Sequence, residues 1–223
     1  MTLFSVLLAS GIASAAPLES GEFYNTAHVL GQGQKAIHPL YPSIFGLPND
    51  MNFKTTFLGW LGGPNAISEI AFVSNDSMAI SADISFTSSW DFKTTSSVGG
   101  QINYTSGGVL TNRLNASAGL VRYGILDSSF FSVPVSVGYD VVKSESTTIQ
   151  FIGTTDINAI IAGVAGGTVG AAWNKGWESY RLRLGLTAAY LTLDAATQDV
   201  LEQADIDVPD FFPLPDIQMW WLF

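Results

Sequence analysis

The stretch 77–90, SMAISADISFTSSW, limits the fold more than any other part of the chain. Its even positions, Met78, Ile80, Ala82, Ile84, Phe86, Ser88 and Trp90, are nearly all apolar, and its odd positions are small or polar. Successive side chains of a strand point to opposite faces, so this segment has one apolar face and one wet face. It is long for a soluble strand, where about five or six residues are usual. Its length suits a strand that crosses a bilayer at a tilt with some overhang.

Composition narrows the choice. The 223-residue chain has 13% charged residues, a net charge of -10, no cysteine and a mean hydropathy of +0.28; soluble domains carry roughly 25% charged residues. No run reaches the roughly 18 to 20 apolar residues that a spanning helix needs. In hydrocarbon every backbone N–H and C=O must be paired internally, which leaves helices and closed barrels. The expected fold is therefore all-β, a closed antiparallel up-and-down transmembrane barrel over 16–223 with about twelve strands. Ten strands after an N-terminal segment is the open alternative.

Residues 1–15 read as a signal peptide, with an apolar core over 3–9 and Ala13-Ser14-Ala15 as a small-x-small cleavage site, although no basic residue precedes the core. The first turn of a buried helix is the other reading of this stretch. Further on, strands are expected at 51–61, 66–74, 96–106, 109–122, 131–142, 147–155, 168–173 and 177–190. Short turns fall at Asn75, Gly107, Lys143 and Asn174-Lys175-Gly176, and longer connections near Asp91 and over 123–129, 157–167 and 191–216. Residues 41–50 read as a loop, and Pro134 suggests a bulge. In 177–190, Tyr180 and Tyr190 bracket an aliphatic band, as two membrane interfaces would select.

The chain stops on Ile217-Gln218-Met219-Trp220-Trp221-Leu222-Phe223, where Ile217, Met219, Trp221 and Phe223 share one face. With Pro213 and Pro215 just upstream, this strand is expected to start after them. Together with the signal and the strand pattern, this end resembles the outer-membrane β-barrel proteins of Gram-negative bacteria as a class. The resemblance implies export through the periplasm, an outer-membrane location in contact with its lipid, and an assembly signal at Phe223, Trp221 and Met219 read by the barrel-assembly machinery.

Alternation places Arg113, Arg181 and Arg183 on the inner face, with Asp83 and Asp140. Charges of both signs inside a barrel either pair and fill it or line a channel and set its ion preference. The expected function is a small porin-like channel or transporter for polar solutes. The alternatives are a structural or adhesion-type barrel with a plugged lumen that acts through its outer loops, and a secreted soluble β-sandwich. The acidic outer loop at 191–216 reads as a solvated loop or as a gate.

Neither His28 nor His38 lies in a hydrolase motif, and the acids lack calcium-loop spacing. No catalytic residue, metal site or cofactor is assigned, and nine basic residues in an acidic chain leave no nucleic-acid footprint.

Overall fold

The computed structural model describes residues 27–38, 40–108, 110–126, 128–158, 165–177, 179–192 and 211–223. The signal stretch 1–15 and the acidic residues of 193–210 lie outside the described residues. The strands are β1 (Lys35–Ile37), β2 (Ser43–Leu47), β3 (Met51–Thr55), β4 (Asn65–Ser74), β5 (Met78–Ser88), β6 (Thr95–Ser106), β7 (Arg113–Ile125), β8 (Ser128–Ser132), β9 (Pro134–Ser144), β10 (Thr147–Asp156), β11 (Ala165–Gly176), β12 (Tyr180–Thr192) and β13 (Phe211–Leu222).

All pairings are antiparallel, and the sheet closes where β1 meets β13 through Ala36↔Leu222 and Ile37↔Trp221. β8 and β9 both pair with β7 in one continuous register, Val121↔Ser132 and Ala118↔Val135. They are two halves of a single strand, so the ring has twelve strands. Pro134 therefore makes no bulge there. Ile157 N–H donates to the Val133 carbonyl, which turns position 134 toward β7, and the missing proline N–H interrupts that ladder without shifting it. The register shifts lie instead at Ala71/Val73 and Thr147/Thr148.

Several expected boundaries move. The 41–50 loop contains β2, and 51–61 divides into β3 and a short 3-10 helix, Leu58–Leu61. β7 runs to Ile125 and β8 starts at Ser128, so the long connection at 123–129 is a tight turn. Asn174-Lys175-Gly176 looks like a turn but is strand, paired with Arg183, Leu182 and Arg181; the chain reverses at 177–179. β13 begins at Phe211 and contains both Pro213 and Pro215, and β12 reaches Thr192, so the connection between them is 193–210 rather than 191–216.

Local chemistry shapes the turns at one end. Asn49 and Asp50, with φ 61 and 54, take the left-handed conformation between β2 and β3, which short polar side chains tolerate. The Asn75 Oδ1 accepts the N–H of Ser77 at 2.9 Å and of Met78 at 3.0 Å, closing the β4–β5 reversal. This is the short-turn end, and the connections 56–64 and 89–94 lie at the other, long-loop end, where β10 and β12 also finish.

The wall is uneven in height. β4 to β7 and β10 to β13 have ten to thirteen residues, whereas β1, β2 and β3 have three, five and five. At about 3.3 Å per residue, β1–β3 stand about 10–17 Å tall, roughly half the height of the rest or less.

The apolar face points away from the interior. Phe72, Ile84, Ile102 and Ile217 are each more than 60% exposed, whereas Asn52, Glu69, Ser81, Thr105 and Asn115 are buried inside. A soluble sandwich buries its apolar face, the reverse of this arrangement. Among the described residues no helix is long and apolar enough to cross a membrane. A closed twelve-stranded barrel with this polarity is compatible with an outer-membrane barrel.

Candidate functional site

Among the described residues, buried polar and charged side chains gather on the inner face. Arg113 and Asp140 stand directly opposite on β7 and β9, and the Arg113 Nε donates to Asp140 Oδ2 at 3.1 Å with both side chains buried. Arg183 lies between Asn174 and Gln218 in the ladder. Its Nε donates to Asp216 Oδ2 at 2.5 Å, its Nη1 reaches Gln150 and Asn174, and Gln218 donates to the other Asp216 oxygen at 2.6 Å. Around the ring, Glu69 accepts from Lys54 at 2.7 Å, Ser81 at 2.7 Å and Asn52 at 3.3 Å.

Arg181 is also buried, but it donates to the main-chain carbonyls of Trp177 and Tyr180 at the β11–β12 reversal. Asp83 is partly exposed and accepts from Asn103 Nδ2 at 3.0 Å. The Arg113–Asp140 and Arg183–Asp216 pairs each join neighbouring strands. Glu69, Lys54, Asn52, Asn174 and Gln150 escaped the sequence reading, which followed charges on the clearest strands. For Glu69 the signal was present, because Ile70 and Phe72 alternate with Glu69 and Ala71. Asp216 was assigned to the acidic loop.

A second element closes the short-turn end. Residues 27–30 run inside the barrel from β6 to β3, and the exposed residues 31–34 lead from them into β1. Ala27 N–H donates to Thr105 Oγ1 at 2.9 Å, Leu30 N–H to Asn52 Oδ1 at 3.1 Å, and Gly33 N–H to the Gly46 carbonyl at 3.0 Å, with Gly46 N–H returning to Gln34 at 2.9 Å. Glycine is required at position 46, where a Cβ would lie 2.0 Å from the Gly31 carbonyl oxygen. His28 sits within 3.3 Å of the Gly107 carbonyl through Nε2 and 3.4 Å of Ser74 Oγ through Nδ1. Burial lowers its pKa below the usual histidine value, Arg113 adds to the lowering, and the Gly107 carbonyl opposes it. Leu30 joins Ala36, Ile44 and Trp220 in a small apolar cluster on the inner face.

Burial along the inner face is graded. On β5, Ala79 and Ser81 are buried while Asp83 and Ser85 are partly exposed; on β7, Arg113 and Asn115 are buried while Ser117 and Gly119 are partly exposed. β10 and β12 repeat the pattern, with Thr148 and Gln150 against Ile152 and Thr154, and Arg181 and Arg183 against Gly185 and Thr187. The short-turn half is filled. The other half is lined by small and hydroxyl-bearing side chains.

At the long-loop end, His38 Nδ1 accepts the N–H of Leu40 at 2.9 Å and of Tyr41 at 2.7 Å, and Ser43 Oγ bonds the His38 main chain and not its ring. Asp91 takes Ser89, Lys93 and Thr94 as donors, which holds its carboxyl well below the usual carboxylate range. Trp90 Nε1 donates to the Trp60 carbonyl at 2.9 Å, tying 89–94 to the 3-10 helix. A cavity of about 260 Å³ lies beneath it, lined by Pro42, Lys54, Thr55, Thr56, Asn65 and Ile67 among others. Among the described residues no group of three His, Cys, Asp or Glu side chains is placed to hold a metal. Phe223 pairs through its main chain with Lys35; its side chain is exposed, and Met219 and Trp221 are partly exposed.

Compared with known proteins, the chain matches no family model, no curated protein sequence and no solved structure.

Proposed function

We propose that this chain is an outer-membrane barrel whose lumen is plugged at rest and which acts through its long-loop end. The observation that carries this reading is the filled short-turn half: residues 27–30 are packed inside it against Thr105 and Asn52, and the Arg113–Asp140, Arg183–Asp216 and Lys54–Glu69 pairs line the same half. A resting pore for polar solutes needs a continuous wet path, and buried, mutually paired charges do not leave one.

A porin-like or transport function is the second reading, favoured by the small hydroxyl-bearing residues of the other half. It requires residues 27–30 to leave the lumen. Conductance of the full chain in a planar bilayer separates the two. The plugged reading expects silence from the wild type and channel events from Gly46→Val, whose side chain collides with Gly31. Steady wild-type channels whose selectivity changes with Arg183→Glu establish the porin. Migration in detergent gels that changes on heating tests membrane-barrel character independently, since a closed barrel resists detergent until heated.

A further inference from the structure

The low stretch of wall formed by β1–β3 has a counterpart in the chemistry of β13. Phe223 exchanges N–H and C=O bonds with Lys35 of β1, at 3.0 and 3.1 Å, while Leu222 N–H donates toward β12 at Ser179. Hydrogen-bonding direction alternates along an antiparallel strand, so odd positions of β13 face β1 and even positions face β12. Among the described residues, β1 meets this strand at Trp221, Leu222 and the following Phe223. Above them, among the described residues, β13 pairs on the β12 side alone.

Pro213 and Pro215 are odd. Their missing N–H groups are the ones that would point into the gap, so neither removes a bond to β12. An unpaired N–H in hydrocarbon is costly; an edge carrying proline at alternate positions has fewer to leave unpaired. The same prolines disfavour a peptide or a second copy adding a strand there, because strand addition needs those donors.

The other flank of the gap is finished differently. Thr55 Oγ1 donates to the Asn65 carbonyl at 2.8 Å, and Thr56 N–H to Asn65 Oδ1 at 2.7 Å, which seals β3 to the top of β4. The 260 Å³ cavity lies on this flank. Pro42, on the loop after β1, lines it, and His38 at the start of that loop touches Trp220 of β13 with ring centroids 5.4 Å apart. The floor of the gap thus runs from β13 to the cavity. Leu214 is an inner-face position by parity, yet it is 49% exposed, and Phe211 and Ile217 beside it are 59% and 62% exposed.

We propose that the barrel wall is open to the bilayer between β4 and β13 above β1–β3, and that this portal takes the acyl chain of a membrane amphiphile whose polar head sits in the cavity at Lys54, Thr55 and Asn65. The inference rests on the outer-membrane reading above. The cavity is below the roughly 300–1,000 Å³ of whole-ligand pockets, which suits a head group with its chain outside. Lys54 is already paired with Glu69, so the head recognised is polar and without a strong net charge.

The chain has no cysteine, so single cysteines carry a fluorophore uniquely. Leu214→Cys, Leu186→Cys on the outer face and Ser136→Cys on the far inner wall are labelled in the full chain. Each is folded into phosphatidylcholine vesicles containing a lipid with a nitroxide on its acyl chain, with aqueous iodide as the opposing quencher. The portal expects Leu214→Cys to be quenched by the lipid as strongly as Leu186→Cys, and several-fold more than Ser136→Cys. Quenching of Leu214→Cys by iodide alone overturns the portal. An unquenched Leu186→Cys overturns the membrane reading instead, so the two failures are distinct. For the head-group site, a lysophosphatidylcholine with a photoreactive group near its head should label the peptides around Thr55 and Asn65, and Ile67→Trp should abolish that labelling by filling the cavity. Labelling elsewhere, or unchanged in Ile67→Trp, overturns that site.

Discussion

His28 is the side chain whose protonation bears most directly on the plug. Burial lowers its pKa, Arg113 lowers it further, and the Gly107 carbonyl and Ser74 hydroxyl are its polar neighbours. In the unfolded chain it titrates near 6.5. The neutral ring therefore contributes its full stabilisation above that pH, and the contribution is lost as the pH falls through the lower folded value. Amide exchange over residues 27–30, corrected for the intrinsic fall in rate with pH, should show less protection at about pH 5 than at about pH 7.5, and His28→Gln should flatten the dependence. Equal protection at both values would remove His28 from any role in holding the segment. The Arg113–Asp140 pair makes a second prediction. Asp140→Ala removes the carboxylate that Arg113 Nε donates to and should cost about 3–5 kcal/mol, read from the urea midpoint in micelles, while Arg113→Met with Asp140→Leu should recover most of it. Asp83→Ala, at a partly exposed site bonded to Asn103, should cost less.

At the scale of elements, β13 explains how proline can sit within a membrane strand. Pro215→Ala keeps every bond to β12 and adds only an N–H that faces the gap, so its cost should be smaller than that of Leu214→Pro. Leu214→Pro removes an N–H aimed at β12 and should cost about 1 kcal/mol or more through the lost ladder bond and the misfit of the ring. Equal effects at the two positions would contradict the hydrogen-bond parity of the strand. The same strand shows why part of the chain was not legible. A proline pair read locally ends a strand, and only knowledge of which neighbour is missing makes it admissible. Asn174-Lys175-Gly176 reads locally as a turn for the same kind of reason, but Asn174 faces inward to accept from Arg183, a partner visible only once β11 and β12 are in register.

The whole molecule inverts the usual distribution of polarity, and that inversion is measurable. Ile102→Arg, on the outer face of β6, should reduce folding into lipid vesicles by about 2–4 kcal/mol if the position lies near the bilayer midplane. Ser117→Arg, on the inner face, should leave vesicle insertion intact. Insertion tolerant of Ile102→Arg would place the outer face in something other than hydrocarbon.

The closed antiparallel barrel, its strand number near twelve and the inner side of the clearest strands are legible along the chain, because period-two alternation is a local property and a closed ring is the β-arrangement that satisfies its backbone in lipid. Which charges pair, that residues 27–30 lie inside the ring, and that β1–β3 leave the wall low beside β13 emerge only in the assembled sheet. Each of these depends on register between segments far apart in the chain, such as Asn52 with Leu30 or Thr105 with Ala27. A pattern that repeats every two residues says which way a side chain points and nothing about which strand stands beside it.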